Sequence, residues 1–187
     1  DGVVEARNDY DERGRVVAQR SRFGRLTRFA YLPGRVTAVS DVDGGRSNTW
    51  VADGRGRLVA VTDCDGNRSR MAYDRWGNQV WAAGPEGGQT VREFDARGRL
   101  VTEVVPTGAM RRLVWDEQDR LTDVISLEDG AEVARTSMAY EGAGQQPSVV
   151  TDGEGGRTRM VWDGGLLMEA TDPTGVTVRF AYDGHGD

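Results

Sequence analysis

One spacing dominates the sequence. An aromatic residue followed by Asp recurs as Tyr10-Asp11, Tyr73-Asp74, Phe94-Asp95, Trp115-Asp116, Trp162-Asp163 and Tyr182-Asp183. Tyr31 and Tyr140 hold the same position without the Asp, and Ala52-Asp53 holds it without the ring. These positions, 10, 31, 52, 73, 94, 115, 140, 162 and 182, are separated by 21, 21, 21, 21, 21, 25, 22 and 20 residues. Five equal intervals in succession mark a tandem repeat. A repeat of this period is one supersecondary unit that covers its apolar face only by stacking on its neighbours.

Each unit carries two turn signals. The first starts at the Asp after the ring, as in Asp11-Glu12-Arg13-Gly14, Asp53-Gly54-Arg55-Gly56, Asp74-Arg75-Trp76-Gly77 and Asp95-Ala96-Arg97-Gly98. Asp at the first turn position accepts downstream backbone N–H groups, and Gly at the fourth tolerates positive φ. The second falls half a period later, in Asp41-Val42-Asp43-Gly44, Asp63-Cys64-Asp65-Gly66, Gly84-Pro85-Glu86-Gly87, Val105-Pro106-Thr107-Gly108, Asp152-Gly153-Glu154-Gly155 and Asp172-Pro173-Thr174-Gly175. Pro85, Pro106 and Pro173 share its second position, where a φ near −65° fits.

Between turns lie runs of about six residues, such as Arg70-Met71-Ala72-Tyr73 and Arg112-Leu113-Val114-Trp115 entering the ring position. Residues two apart share a strand face, so Phe29 with Tyr31, Leu113 with Trp115 and Met160 with Trp162 form one bulky apolar face. The run leaving the turn is rich in Leu and Val and alternates less, which predicts partial cover on both faces. No window shows a helical period with caps. The expected fold is all-β: tandem hairpins of about 21 residues stacked into a continuous, curved antiparallel sheet. The rings at Tyr10, Tyr31, Tyr73, Phe94, Trp115, Tyr140, Trp162 and Tyr182 form its repeating structural core. Stacking also places Arg7, Arg28, Arg70, Arg112, Arg159 and Arg179 in one row, for which the turn carboxylates are the expected counter-charges. The 25-residue interval predicts a longer loop near Leu127–Arg135.

Composition narrows the function classes. The 187 residues include 30 acidic side chains against 24 Arg and no Lys, for a net charge of −6, which argues against a phosphate-binding face and so against nucleic acid. The apolar share is 37% and the mean hydropathy is −0.57. Runs such as Leu58–Val61 fall far short of the ~20 apolar residues of a helical membrane span. A single cysteine, Cys64, excludes an internal disulfide framework, and a single histidine, His185, removes His-based metal or triad chemistry. There is no Gly-x-Ser-x-Gly, Walker or His-Glu-x-x-His motif. Asp41-Val42-Asp43-Gly44 and Asp63-Cys64-Asp65-Gly66 lack the spacing of a calcium loop and read as turns. No cofactor, metal or catalytic residue is expected.

The residues Tyr10-Asp11-Glu12-Arg13-Gly14-Arg15-Val16, Tyr73-Asp74-Arg75-Trp76-Gly77-Asn78 and Phe94-Asp95-Ala96-Arg97-Gly98-Arg99-Leu100 resemble the YD repeat of the Rhs family, aromatic-Asp-x-x-Gly-Arg-Leu. The resemblance covers essentially all of 1–187 in about eight units, with departures at Ala52, Asp119 and Tyr140-Glu141. It implies repeats that wind as a β-sheet spiral into a hollow shell of a large secreted or surface-exposed bacterial protein. In toxin members such a shell encloses a C-terminal effector, and some relatives are associated with adhesion or carbohydrate binding. The chain is therefore expected to be a non-catalytic wall segment, part of a longer array. Its partners would be neighbouring repeats and an enclosed effector of the same chain, with cell-surface glycans as the alternative. Asp172-Pro173-Thr174-Gly175 is similar to an element near the self-cleavage region of toxin-type shells, but its place in the repeat reads as a turn. For glycans, Trp76, inside a turn, and Trp81 are the candidate contacts.

Overall fold

The chain was studied as a computed structural model, which describes residues 6–41 and 47–183. The expected turn at Asp41–Gly44 (beyond Asp41), the entry run Val3–Glu5 and His185 lie outside the described residues. Two compact units are present, Asp1–Thr90 and Val91–Asp187. The first holds β1 (Ala6–Tyr10), β2 (Val16–Ser21), β3 (Leu26–Leu32), β4 (Val36–Asp41), β5 (Ser47–Ala52), β6 (Leu58–Thr62), β7 (Arg68–Tyr73) and β8 (Gln79–Ala83). The second holds β9 (Gln89–Phe94), β10 (Leu100–Val104), β11 (Met110–Trp115), β12 (Leu121–Glu128), β13 (Ala131–Tyr140), β14 (Pro147–Thr151), β15 (Arg157–Asp163), β16 (Leu166–Thr171) and β17 (Thr177–Arg179). Among the described residues there is no helix. Within each unit every strand pairs antiparallel with the next in sequence. The all-β hairpin array read from the 21-residue period is the fold observed.

The turns have the predicted chemistry. In the first class the slot Asp receives the Gly N–H and its own N–H returns to the residue after the Gly, as in Gly56 N to Asp53 O at 3.0 Å and Asp53 N to Arg57 O at 2.8 Å. This is a type I turn closed by a bulge, and Gly56 supplies it with φ = 80°. The bulge appears in the register, where pairing slips immediately before the ring position at Tyr10, Ala52, Tyr73, Trp115, Tyr140 and Trp162. Asp119 stands where Gly14, Gly56, Gly77 and Gly98 stand in other units, and adopts φ = 62°. Asp accepts the left-handed region more readily than most side chains.

The 25-residue interval does not produce a long loop. β12 and β13, of 8 and 10 residues, run on to a two-residue turn at Asp129-Gly130, with φ of 49° and 81°. Two positive φ values define the type I′ hairpin that Asp-Gly favours, so the extra residues lengthen strands instead.

Alternation matches the expected faces. In β7, Ser69, Met71 and Tyr73 are half-buried while Arg68, Arg70 and Ala72 are exposed, and β9 and β15 repeat the pattern. The outgoing strand β10 is covered along its whole length. Few side chains are buried, and none of the large ones fully; Ala60, Ala83, Ile125 and Leu127 are the buried apolar ones among the described residues. A sheet this thin draws its stability from cross-strand pairs rather than from a central core.

Candidate functional site

The chemistry of this chain is concentrated at the edge where each ring meets the turn of the preceding hairpin. The rings at Tyr31, Tyr73, Trp115, Tyr140, Trp162 and Tyr182 are half-buried, and each donates its polar tip to a backbone carbonyl one hairpin back. Tyr31 Oη bonds Val16 O at 2.9 Å, Tyr73 Oη bonds Leu58 O at 2.9 Å and Trp115 Nε1 bonds Leu100 O at 2.8 Å. Tyr140 Oη reaches Leu121 O at 2.7 Å, Trp162 Nε1 reaches Pro147 O at 2.8 Å and Tyr182 Oη reaches Leu167 O at 2.9 Å. Tyr and Trp bring a donor at the ring tip to this position; Phe94 and Ala52 do not.

Tyr10 departs from the expected core role: it is 59% exposed. Its ring lies on β1, and its hydroxyl accepts from Asn8 Nδ2 at 3.4 Å.

Four arginines five residues after the ring position bind these contacts together. Arg57 Nε bonds Asp53 Oδ2 at 2.7 Å, its Nη1 donates to Asp74 O at 2.9 Å, and its guanidinium lies 4.8 Å from the Tyr73 ring centre. Arg99 repeats this with Asp95 (2.7 Å), Asp116 O (3.0 Å) and Trp115 (5.7 Å). Arg120 does so with Asp116 (2.7 Å), Gly142 O (2.9 Å) and Tyr140 (4.6 Å). Arg15 holds Asp11 at 2.8 Å and stacks 4.2 Å from Tyr31. One side chain thus fixes its own turn, covers the next ring and grips the next turn; a planar, multi-donor cation suits the task where Lys would not. The arginines two residues earlier add to it: Arg55 Nη1 reaches Arg75 O at 2.5 Å and Arg97 Nη1 reaches Glu117 O at 3.1 Å. Asp119 then receives both Arg97 (2.9 Å) and Arg99 (2.8 Å), which offsets the cost of its backbone conformation.

The carboxyls of Asp11, Asp53, Asp74, Asp95 and Asp116 are held below the usual Asp range. At Asp11 and Asp95 the leading cause is the backbone N–H of Arg15 or Arg99. At Asp53, Asp74 and Asp116 partial burial pushes upward but is outweighed by several hydrogen bonds from the turn and from residue i+4. The carboxylates of Asp11, Asp53, Asp95 and Asp116 are therefore committed to the turn arginines, and that of Asp74 to Asn78 and its own turn, not to the row at Arg7, Arg28, Arg70, Arg112, Arg159 and Arg179. Charge near that row is balanced from strands: Arg179 pairs with Glu169 across β16 at 2.9 Å. Glu103, 6% exposed, faces Arg92 and Arg111 on its two flanking strands. The Arg111 hydrogen bond is the main reason that its carboxyl lies below the usual range, against burial and with help from Arg92.

The remaining candidates take the following places. Trp76 is 68% exposed in its turn, with Arg75 stacked 4.0 Å from its ring. Trp81 is half-buried, and its Nε1 donates to Gln89 Oε1 at 3.0 Å. Asp63 is occupied by Asp65 N, Asn67 N and Asn67 Nδ2, and Asp172 by Thr174 and Val176, which is turn chemistry in both. Cys64 is exposed. Among the described residues no group of three His, Cys, Asp or Glu is placed to hold a metal, and no helix is long and apolar enough to cross a membrane. Sequence reasoning missed the turn arginines as a site. The signal was their recurrence after Gly at Arg15, Arg57 and Arg99, a spacing that only a pairing register turns into contact.

Comparison with known proteins gives a consistent picture. The RHS Repeat family model matches residues 10–46 and 53–89. Toxin protein Tse5 of Pseudomonas aeruginosa is 32% identical over 201 residues, covering 93% of this chain and 15% of that protein. Crystal structures of TcdB2-TccC3 and of TcdB2-TccC3-Cdc42 superpose with TM-scores of 0.73 and 0.75 at 17% identity. They cover 95% and 97% of this chain and 11% of each solved chain, a likeness of fold. The chain spans about 15% of the length of the curated relative it matches.

Proposed function

Because this chain belongs to the RHS-repeat (YD-repeat) family, we propose that it is a wall segment of a β-shell in a larger secreted or surface bacterial protein, enclosing an effector domain of the same polypeptide. The role is structural: the wall separates cargo from solvent and performs no chemistry. The observation that carries this reading is the interlock, in which ring, carbonyl and arginine recur from hairpin to hairpin. All of that polar machinery is spent inside the sheet on holding copies together. The toxin named in the relative supports cargo of a harmful kind.

Limited proteolysis of the longer protein tests enclosure. A domain carried behind the array is expected to resist protease while the array is intact, and to be cut rapidly when Trp115→Ala and Trp162→Ala are combined. Equal cleavage with and without the substitutions would contradict it. A glycan-binding surface at Trp76 and Trp81 is the weaker reading, because Arg75 already covers one ring and Gln89 already engages the other indole.

A further inference from the structure

At the step that follows Tyr140, Gln146 stands in place of the turn arginine, and a cleft of about 380 Å³ lies there. It is bordered by Glu141, Gln146, Trp162, Gly164 and Gly165. The repeat defines what belongs in that space. In the units that carry a turn arginine it immediately precedes the residue paired with the ring position: Arg57 before Leu58 (paired with Ala52), and Arg120 before Leu121 (paired with Trp115). Asn78, before Gln79, holds that position after Tyr73, with its amide on Asp74 at 2.9 Å. Tyr140 pairs with Pro147, so Gln146 occupies the arginine position. Glu141 directly follows Tyr140, as Asp53 and Asp116 follow Ala52 and Trp115. Trp162 is the ring on which the missing guanidinium would stack, and its own tip is already satisfied by Pro147 O at 2.8 Å. Gly164 and Gly165 follow it as Gly142 and Gly144, whose carbonyls accept Arg120, follow Tyr140.

We propose that this cleft is a receptor site for a guanidinium group, the arginine side chain of a polypeptide segment laid against the sheet. The incoming group stacks on Trp162, pairs with the Glu141 carboxylate and donates to the main chain of the Gly164-Gly165 turn. These are the three contacts that Arg57, Arg99 and Arg120 make within the chain. Gln146 is uncharged and shorter than Arg, and it leaves the space that a foreign guanidinium fills. The acidic balance of the chain, −6 overall, favours a cationic guest.

The test is a titration of the 187-residue chain with a blocked Gly-Arg-Gly tripeptide, followed at the Trp162 indole N–H by NMR, with the citrulline tripeptide and free arginine as parallel arms. The arginine tripeptide is expected to saturate with a Kd on the order of 1 mM, given one ion pair and one cation–π contact. The citrulline tripeptide should leave the signal unmoved, and free arginine should bind more weakly. Glu141→Gln, in an exposed turn, should weaken binding by about fivefold. Gln146→Arg should abolish it by supplying the group from within, while raising the thermal midpoint. No shift at Trp162, an equal response to citrulline, or binding undiminished in Gln146→Arg would overturn the proposal. Free arginine binding as tightly as the tripeptide would remove the polypeptide guest.

Discussion

The steps from Phe94 to Trp115 and from Tyr140 to Trp162 lie in the same unit and differ in one element. Both end in a tryptophan whose indole N–H meets a backbone carbonyl, Leu100 O in one and Pro147 O in the other, each at 2.8 Å. The first also has Arg99, tied to Asp95, Asp116 O and Asp119. The second has Gln146 and a cleft. The indole–carbonyl bond is therefore sufficient to set the spacing of successive hairpins, and the arginine is an added clamp on the turns. Ring and clamp do separate jobs, and substitutions should separate them.

Removing the ring should cost most, and similarly in both steps. Trp115→Ala and Trp162→Ala are each expected to lower unfolding free energy by about 3 kcal/mol, at the low end for large-to-small changes because the rings are only half-buried. Urea unfolding of the two variants checks this; a much smaller loss at Trp162 would show that the clamp, not the ring, sets the spacing. Arg99→Gln should cost less, about 1–2 kcal/mol, from charged hydrogen bonds and ring stacking. It should also make the first step resemble the second, with the Trp115 indole N–H still protected from hydrogen exchange. Loss of that protection would contradict the division of labour.

Acid gives the smallest effect near neutrality. The Asp95 and Asp116 carboxyls are lowered in the folded chain, so their contribution is complete above the unfolded value near pH 4 and is lost as pH falls through the folded value. Stability should be flat from pH 7 to about 5 and should decline below about 4. Asp95→Asn keeps an acceptor for the turn N–H groups but not the ion pair with Arg99, and should shallow that decline. An unchanged acid profile in this variant would assign the pH dependence elsewhere.

The repeat period, turn chemistry and strand faces were legible in the sequence because each rests on local signals: Asp and Gly at fixed offsets, and rings two residues from an apolar partner. The clamp was not legible, since Arg57 and Tyr73 are neighbours only through the pairing of β6 with β7 across the Asp63–Gly66 turn. Tyr10 resembles the other rings by motif, yet it is 59% exposed, which the motif alone does not signal. The lengthened β12–β13 hairpin shows the reverse case. Asp129-Gly130 was a readable type I′ signal, and the period alone pointed to a loop instead.

A double-mutant cycle between Arg57 and Tyr73 tests the interlock most directly, because the two side chains touch across repeats and share no strand. Arg57→Gln, Tyr73→Leu and the double variant should show a coupling energy of about 1 kcal/mol, in the range of a half-buried cation–π contact. Strictly additive losses would mean that the guanidinium and the ring stand side by side without holding the repeats together.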